Sequence, residues 1–231
     1  LLVGHSTTGT LNSSLGNTGV GIASLDALTS GDYNTTIGLE AGTGITSGTG
    51  NTAVGKNALD ANISASNVTA VGLNALGSNT TGANNTAVGT ASLGSNTTAG
   101  KNTAFGYASL NANTTGTRNT AVGDNSLVAN TTGNYNVAMG YNSLDANTTG
   151  THNTSIGDSS MSTNTTGIKN IAVGQGAFAN NTTGNENVAI GVDALAANTT
   201  ASENTAVGEQ CLSANTTGSD NTAVGTSSLG A

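Results

Sequence analysis

The sequence predicts an all-β fold, a parallel β-solenoid with 17-residue coils, and three observations predict it. A glycine preceded by an apolar residue recurs at intervals of 17 from Gly4 to Gly225, with no insertion or deletion. Each interval carries two glycine-bounded segments rich in Thr and Val, the composition of short strands joined by turns, and no 3.6-residue helical pattern fits. The chain has 34 Gly, no Pro and only 7% charged residues, all held in strict register. Disordered chains combine high charge with irregular order, so this composition describes an ordered repeat. The 231 residues make about 13.6 copies of a unit too short to enclose its own core, which survives by stacking on its neighbours. The chain therefore reads as one repeat array over 1–231, an excerpt of a longer fibre, with variant coils in 1–50.

With the anchor glycine numbered zero, the consensus is Asn(−4)-Thr-Ala-Val-Gly(0)-x-x-Ser/Ala-Leu(+4)-x-x-Asn(+7)-Thr-Thr-Gly(+10)-x-x. Position −1 is always Val, Ile, Phe or Met, as in Val122, Ile190, Phe105 and Met139. Position +4 is nearly always Leu, with Met161 and Phe178 as variants and Thr8 and Gly42 as exceptions. These two columns are expected to form the large apolar core. Position −3 is usually Thr but becomes Val137, Ile171 or Val188, so it is expected to be at least half-buried. Side chains alternate along a strand, so −2 faces away from −3 and −1. Column −2 is small (ten Ala, plus Gly19, Thr36 and Ser155), and so is +3. Small columns admit close approach by a second wall, either within the coil or on another chain.

The glycines at 0 and +10 are expected to take conformations closed to other residues. The Asn columns at −4 and +7 are expected to stack one coil on the next, each amide donating to its neighbour. Position +7 is Leu11, Leu28 and Ile45 in the first three coils and Asn from Asn62 to Asn215. That switch predicts a dry contact in the amino-terminal coils, inside a modified coil or between chains.

All 16 charged residues fall in columns −6, −5, +1, +2 and +5, and both His and all four Tyr lie at −5 or +1. Unpaired charges are almost never buried, so these columns mark the solvent side and the other twelve are structural. Any recognition site is expected among the mid-chain members Tyr107, Tyr135, Tyr141, Lys101 and Arg118, because aromatic and Arg side chains anchor most contacts.

No catalytic, cofactor or metal site is legible. His5 and His152 have no Cys or carboxylate cluster beside them, Cys211 reads as a space-filler in the small +3 column, and Asp at +5 recurs in only three coils. No glycine run forms a phosphate loop. The expectation is a non-enzyme without cofactors. The net charge of −8 opposes nucleic-acid binding, and no apolar run is long enough to insert in a membrane. The recurring "NTT" matches a glycosylation sequon but reads as a by-product of the Asn ladder.

The motifs "NVAIG" (187–191), "NVAMG" (136–140), "NIAVG" (170–174) and the many "NTAVG" copies resemble the head repeats of trimeric autotransporter adhesins, the YadA-like family. The unit is about three residues longer than that family's usual one, and the longer form also resembles repeats of phage and bacterial tail-fibre-like proteins. The resemblance implies a left-handed roll, a parallel homotrimer, and an extracellular fibre on a bacterial surface or virion that meets a host receptor, protein or glycan. The thin core and the small-residue columns also make association of several chains attractive. An ice-binding solenoid is the alternative, through the Thr columns at +8 and +9. Adjacent Thr point to opposite faces of a strand, which opposes that reading.

Overall fold

The computed structural model describes Leu2–Val3 and residues 14–230. It is an all-β parallel β-solenoid that advances one coil every 17 residues. The chain forms two compact units, 1–117 and 118–231. The first holds β1 (Leu2–Val3), β2 (Thr18–Val20), β3 (Thr35–Ile37), β4 (Thr52–Val54), β5 (Thr69–Val71), β6 (Thr86–Val88) and β7 (Thr103–Phe105). The second holds β8 (Thr120–Val122), β9 (Val137–Met139), β10 (Thr154–Ile156), β11 (Ile171–Val173), β12 (Val188–Ile190), β13 (Thr205–Val207) and β14 (Thr222–Val224). Within each unit, successive strands pair in parallel at a register of 17, as Ala138 on Ser155 and Ser155 on Ala172.

Each coil has one strand, not the expected two. The backbone explains the difference. Positions +2, +4 and −5 take positive φ in coil after coil, as at Asn125 (53°), Leu127 (55°) and Tyr135 (58°). Left-handed residues cannot extend into a strand, so the rest of the coil is a chain of turns. Those turns are still bonded from coil to coil, through Leu144 N to Ser160 O at 3.0 Å and Thr148 N to Thr165 O at 2.9 Å. A left-handed Leu costs about 1–2 kcal/mol. Complete burial of its side chain returns about 1.5–3 kcal/mol, and Leu127 and Leu144 are wholly buried.

The alternation of −3, −2, −1 is as expected, but its sense is inverted. The strand turns its middle residue inward: Ala121, Ala138, Ala172 and Ala189 are fully buried. The large −1 side chains point out, with Phe105 56% and Met139 41% exposed. The large apolar core is thus the +4 column, joined at +7 by Leu28 and Ile45 and at −4 by Val68, and backed by two small columns. Columns −2 and +3 are each other's wall. Ser126 Oγ donates to Ala138 O at 3.0 Å, and Ser143 Oγ to Ser155 O at 3.0 Å. The reason is space. The +4 Leu, the two small residues and the two Asn already fill the inside of each 17-residue coil, so the −1 side chain lies outside. The half-exposed −3 column fits its expected partial burial.

Both Asn columns are buried and bonded. At +7, Asn147 Nδ2 donates to Asn130 Oδ1 at 2.9 Å, and Asn164 repeats the bond to Asn147 at 2.9 Å. At −4 the device differs: the side-chain oxygen accepts the next coil's backbone N–H, as Asn153 N to Asn136 Oδ1 at 3.0 Å. Its amide donates across the coil, as Asn136 Nδ2 to Gly150 O at 2.8 Å, and that carbonyl also accepts from Asn147 Nδ2 at 3.1 Å. A +7 Asn such as Asn147 is therefore committed on both atoms, which supports reading the sequon as a by-product.

The two glycine columns serve different needs. Gly123 has φ 133°, and a Cβ there would lie 2.4 Å from Gly140 O. Column +10 has ordinary φ, contrary to expectation, and is small only for space. A Cβ on Gly133 would meet Asn130 Oδ1 at 2.3 Å, yet Ala65, Ala99 and Ala201 stand buried in the same column.

The amino-terminal variants prove to be linked. Leu28 and Ile45 are buried within their coils, so +7 there is the dry contact expected, and inside the coil. Leu11 lies outside the described residues. At Gly42, where the +4 Leu is missing, a Cβ would meet Thr36 Cγ2 at 2.7 Å and Ile45 Cδ1 at 2.9 Å. Thr36 replaces the usual Ala and Ile45 the usual Asn, and together they fill the space that the absent Leu leaves.

Candidate functional surface

With the interior committed to structure, chemistry is confined to the outward columns. Two of them stand out, −5 within 118–231 and −1 within each unit.

Column −5 projects from the left-handed turn that precedes each strand. In 118–231 it presents Arg118, Tyr135, His152, Lys169, Glu186, Glu203 and Asp220, all exposed. The shared register stacks them. The Arg118 guanidinium carbon lies 5.1 Å from the centre of the Tyr135 ring, and Arg118 also donates to the Tyr135 hydroxyl. The His152 ring lies 4.8 Å from that of Tyr135 and within 13° of parallel. Lys169 Nζ and Glu186 Oε1 form an ion pair at 2.7 Å, and this hydrogen bond and charge hold the Lys169 amine above its usual range.

Of the five residues expected to form a recognition site, the structure brings Arg118 and Tyr135 into contact. Tyr141 is exposed at +1, beyond the far end of β9. Lys101 (−5) and Tyr107 (+1) are exposed in 1–117. His152, set aside in the sequence as isolated, belongs to the stack. Its signal was present: it lies 17 residues after Tyr135, in the same column. His5 lies outside the described residues.

Column −1 is the other surface. Among the described residues it runs Val20, Ile37, Val54, Val71, Val88 and Phe105, then Val122, Met139, Ile156, Val173, Ile190, Val207 and Val224, all half-exposed or exposed. Ile22, Leu39, Leu73 and Val192 at +1 widen this apolar face.

The charged +5 column is only partly on the solvent side. Asp60 and Asp145 are half-buried, and burial, the main cause in both, raises their carboxyls above the usual range. Beside Asp60, Gly77 and Gly94 leave an open groove lined also by Asn74, Ser78 and Ala91. Among the described residues no group of three His, Cys, Asp or Glu side chains is placed to hold a metal ion. Cys211 is buried, and its Sγ contacts Ala223 O at 3.2 Å, the position taken by the Ser126 hydroxyl on Ala138. Among the described residues no helix is long and apolar enough to cross a membrane.

Searches against protein-family models, curated proteins and solved structures find no match. The functional reading therefore rests on the two surfaces.

Proposed function

We propose that this chain is a segment of a structural and adhesive fibre, displayed on a bacterial surface or virion, in which chains pack in parallel as a homotrimer through column −1. The observation that carries this is the column itself. Every described −1 residue is Val, Ile, Phe or Met, although the strand turns it outward. Column +1 beyond the anchor glycine, by contrast, varies between charged, polar and apolar residues. An apolar stripe of this regularity fits a partner with the same periodicity, and another copy of the chain supplies one. The small columns cannot serve this purpose, since they pack on each other inside the coil. The "NTAVG"-type resemblance to trimeric adhesin heads supports the same reading. Attachment would use the outward columns that the stripe leaves free, with Arg118, Tyr135, Tyr141, Lys101 and Tyr107 as contacts to a protein or glycan receptor. No catalytic role is proposed. Mass measurement in solution tests the assembly: about three times 22.2 kDa is expected, and a stable monomer would refute it.

One observation favours an ice-binding alternative: Thr at −3 and Val at −1 repeat outward at one-coil spacing. Against it, the +8 hydroxyls are committed to the backbone, as Thr148 Oγ1 to Thr165 O at 3.1 Å. Phe105, Met139 and Ile171 also break the regularity of the outward face. Absence of thermal hysteresis would close that reading.

A further inference from the structure

We propose that residues 118–231 carry a self-complementary electrostatic edge, column −5, which pairs with the same edge of a second copy running antiparallel. Two properties lead here. First, the seven exposed members are sorted by charge. Arg118 and the Tyr135–His152 stack occupy one end, Lys169 the centre, and Glu186, Glu203 and Asp220 the other end. Second, they are evenly spaced, one per coil, at about 4.8 Å.

A two-fold axis through Lys169 aligns two such edges without further adjustment. Arg118 then faces Asp220 of the second copy, Tyr135 faces Glu203, and His152 faces Glu186. Both copies share one rise, so the register holds over six intervals, about 29 Å. The axial residue is Lys169 on Lys169, and each is already neutralised by its own Glu186 at 2.7 Å. Parallel pairing in register is the opposite case, since it sets Arg118 on Arg118 and acid on acid. The flanking positions add no competing charge: column −6 here is Asn134, Thr151, Ile168, Asn185, Ser202 and Ser219, and column +9 is Thr. An isologous contact is satisfied by two copies of the edge, one from each chain.

Single exposed ion pairs contribute little, and salt screens them over about 10 Å. The contact is therefore a weak low-salt association resting on its two symmetry-related Arg118–Asp220 pairs. It is independent of the apolar stripe, whose contact salt does not weaken.

Sedimentation of the intact chain at low and high ionic strength tests this. The weight-average mass is expected to rise to about twice its high-salt value or more at low salt and to return when salt is raised. Arg118→Glu and Asp220→Lys should each abolish the low-salt doubling. Both exchanges have precedents in the column, at Glu186 and Lys169, and unchanged circular dichroism would confirm folding. Mixing the two variants should restore about half or more of the doubling, because each supplies the charge the other lacks. A mass independent of salt in the parent chain, or a mixture no more associated than its components, overturns the proposal. A high-salt mass of one chain instead of three bears only on the apolar stripe, so the two readings fail separately.

Discussion

Val68 is the one described residue that breaks the −4 Asn column. In the other coils, the Asn oxygen accepts the backbone N–H of the next −4 residue, as Val68 N itself donates to Asn51 Oδ1 at 3.0 Å. Val68 offers no acceptor to the Asn85 N–H. Val68→Asn is expected to stabilise the fold by about 1 kcal/mol, the scale of one satisfied buried hydrogen bond, read as a higher denaturant midpoint. Asp145 gives a pH dependence. Burial raises its carboxyl in the folded chain, so the folded state holds the proton to higher pH than the unfolded one. This contribution to stability is complete below about pH 3.8 and is lost as pH rises through the raised value. Asp145→Asn should remove that slope and raise the melting temperature at neutral pH; Asn111 already occupies the same column. Cys211 is expected to resist alkylation in the native chain and react only on unfolding.

At the scale of the coil, column +7 offers a matched pair of substitutions. Asn130→Leu removes the acceptor of Asn147 Nδ2, one of two donors to Gly133 O, and the amide order of the ladder. A loss of about 1–3 kcal/mol is expected for the groups left unpaired. Leu28→Asn also destabilises, but for a different reason. An Asn beside Ile45 bonds locally to its own +10 residue, as Asn62 does with Ala65 N at 3.1 Å and Ala65 O at 3.2 Å. Its cost is the lost apolar burial, about 1–2 kcal/mol. Melts of both variants indistinguishable from the parent would show that the column tolerates anything. The wholly buried Leu, Ile and Asn side chains along it argue the reverse.

For the whole molecule, the consequence lies in column −1. Met139→Lys and Ile156→Lys place charge on an outward face, so the coil should keep its melting behaviour as a single chain while the proposed trimer falls apart. Gel filtration with light scattering reads this directly: a shift from three chains to one, with circular dichroism unchanged. The inverse substitution, Leu144→Lys at the buried +4 position, should instead unfold its coil. If both kinds of change damaged folding equally, the outward assignment of −1 would be wrong. Attachment belongs to the same scale: replacing Tyr107, Tyr135, Tyr141, Lys101 and Arg118 together should abolish adhesion to the natural target without altering mass or melting.

The sequence by itself determined the period, the parallel register, the β class and the burial of the +4 Leu and both Asn columns. A strict 17-residue repeat forces like residues to stack, and columns that stack declare their chemistry by what they exclude. It also placed Tyr135 and Arg118 in one solvent column, though not in contact. What it gave wrongly was the sense of the strand, with −1 expected in the core. The alternation Thr-Ala-Val is equally consistent with Val inside or Ala inside, because period 2 separates two faces without saying which one is the core. Tertiary closure decided it. With left-handed turns at +2, +4 and −5, the closed coil is filled by the +4 Leu, the small −2 and +3 residues and the two Asn, and the −1 column is turned out. The compensation at Gly42 by Thr36 and Ile45 escaped the sequence for the same reason: three distant columns meet only once the coil is closed.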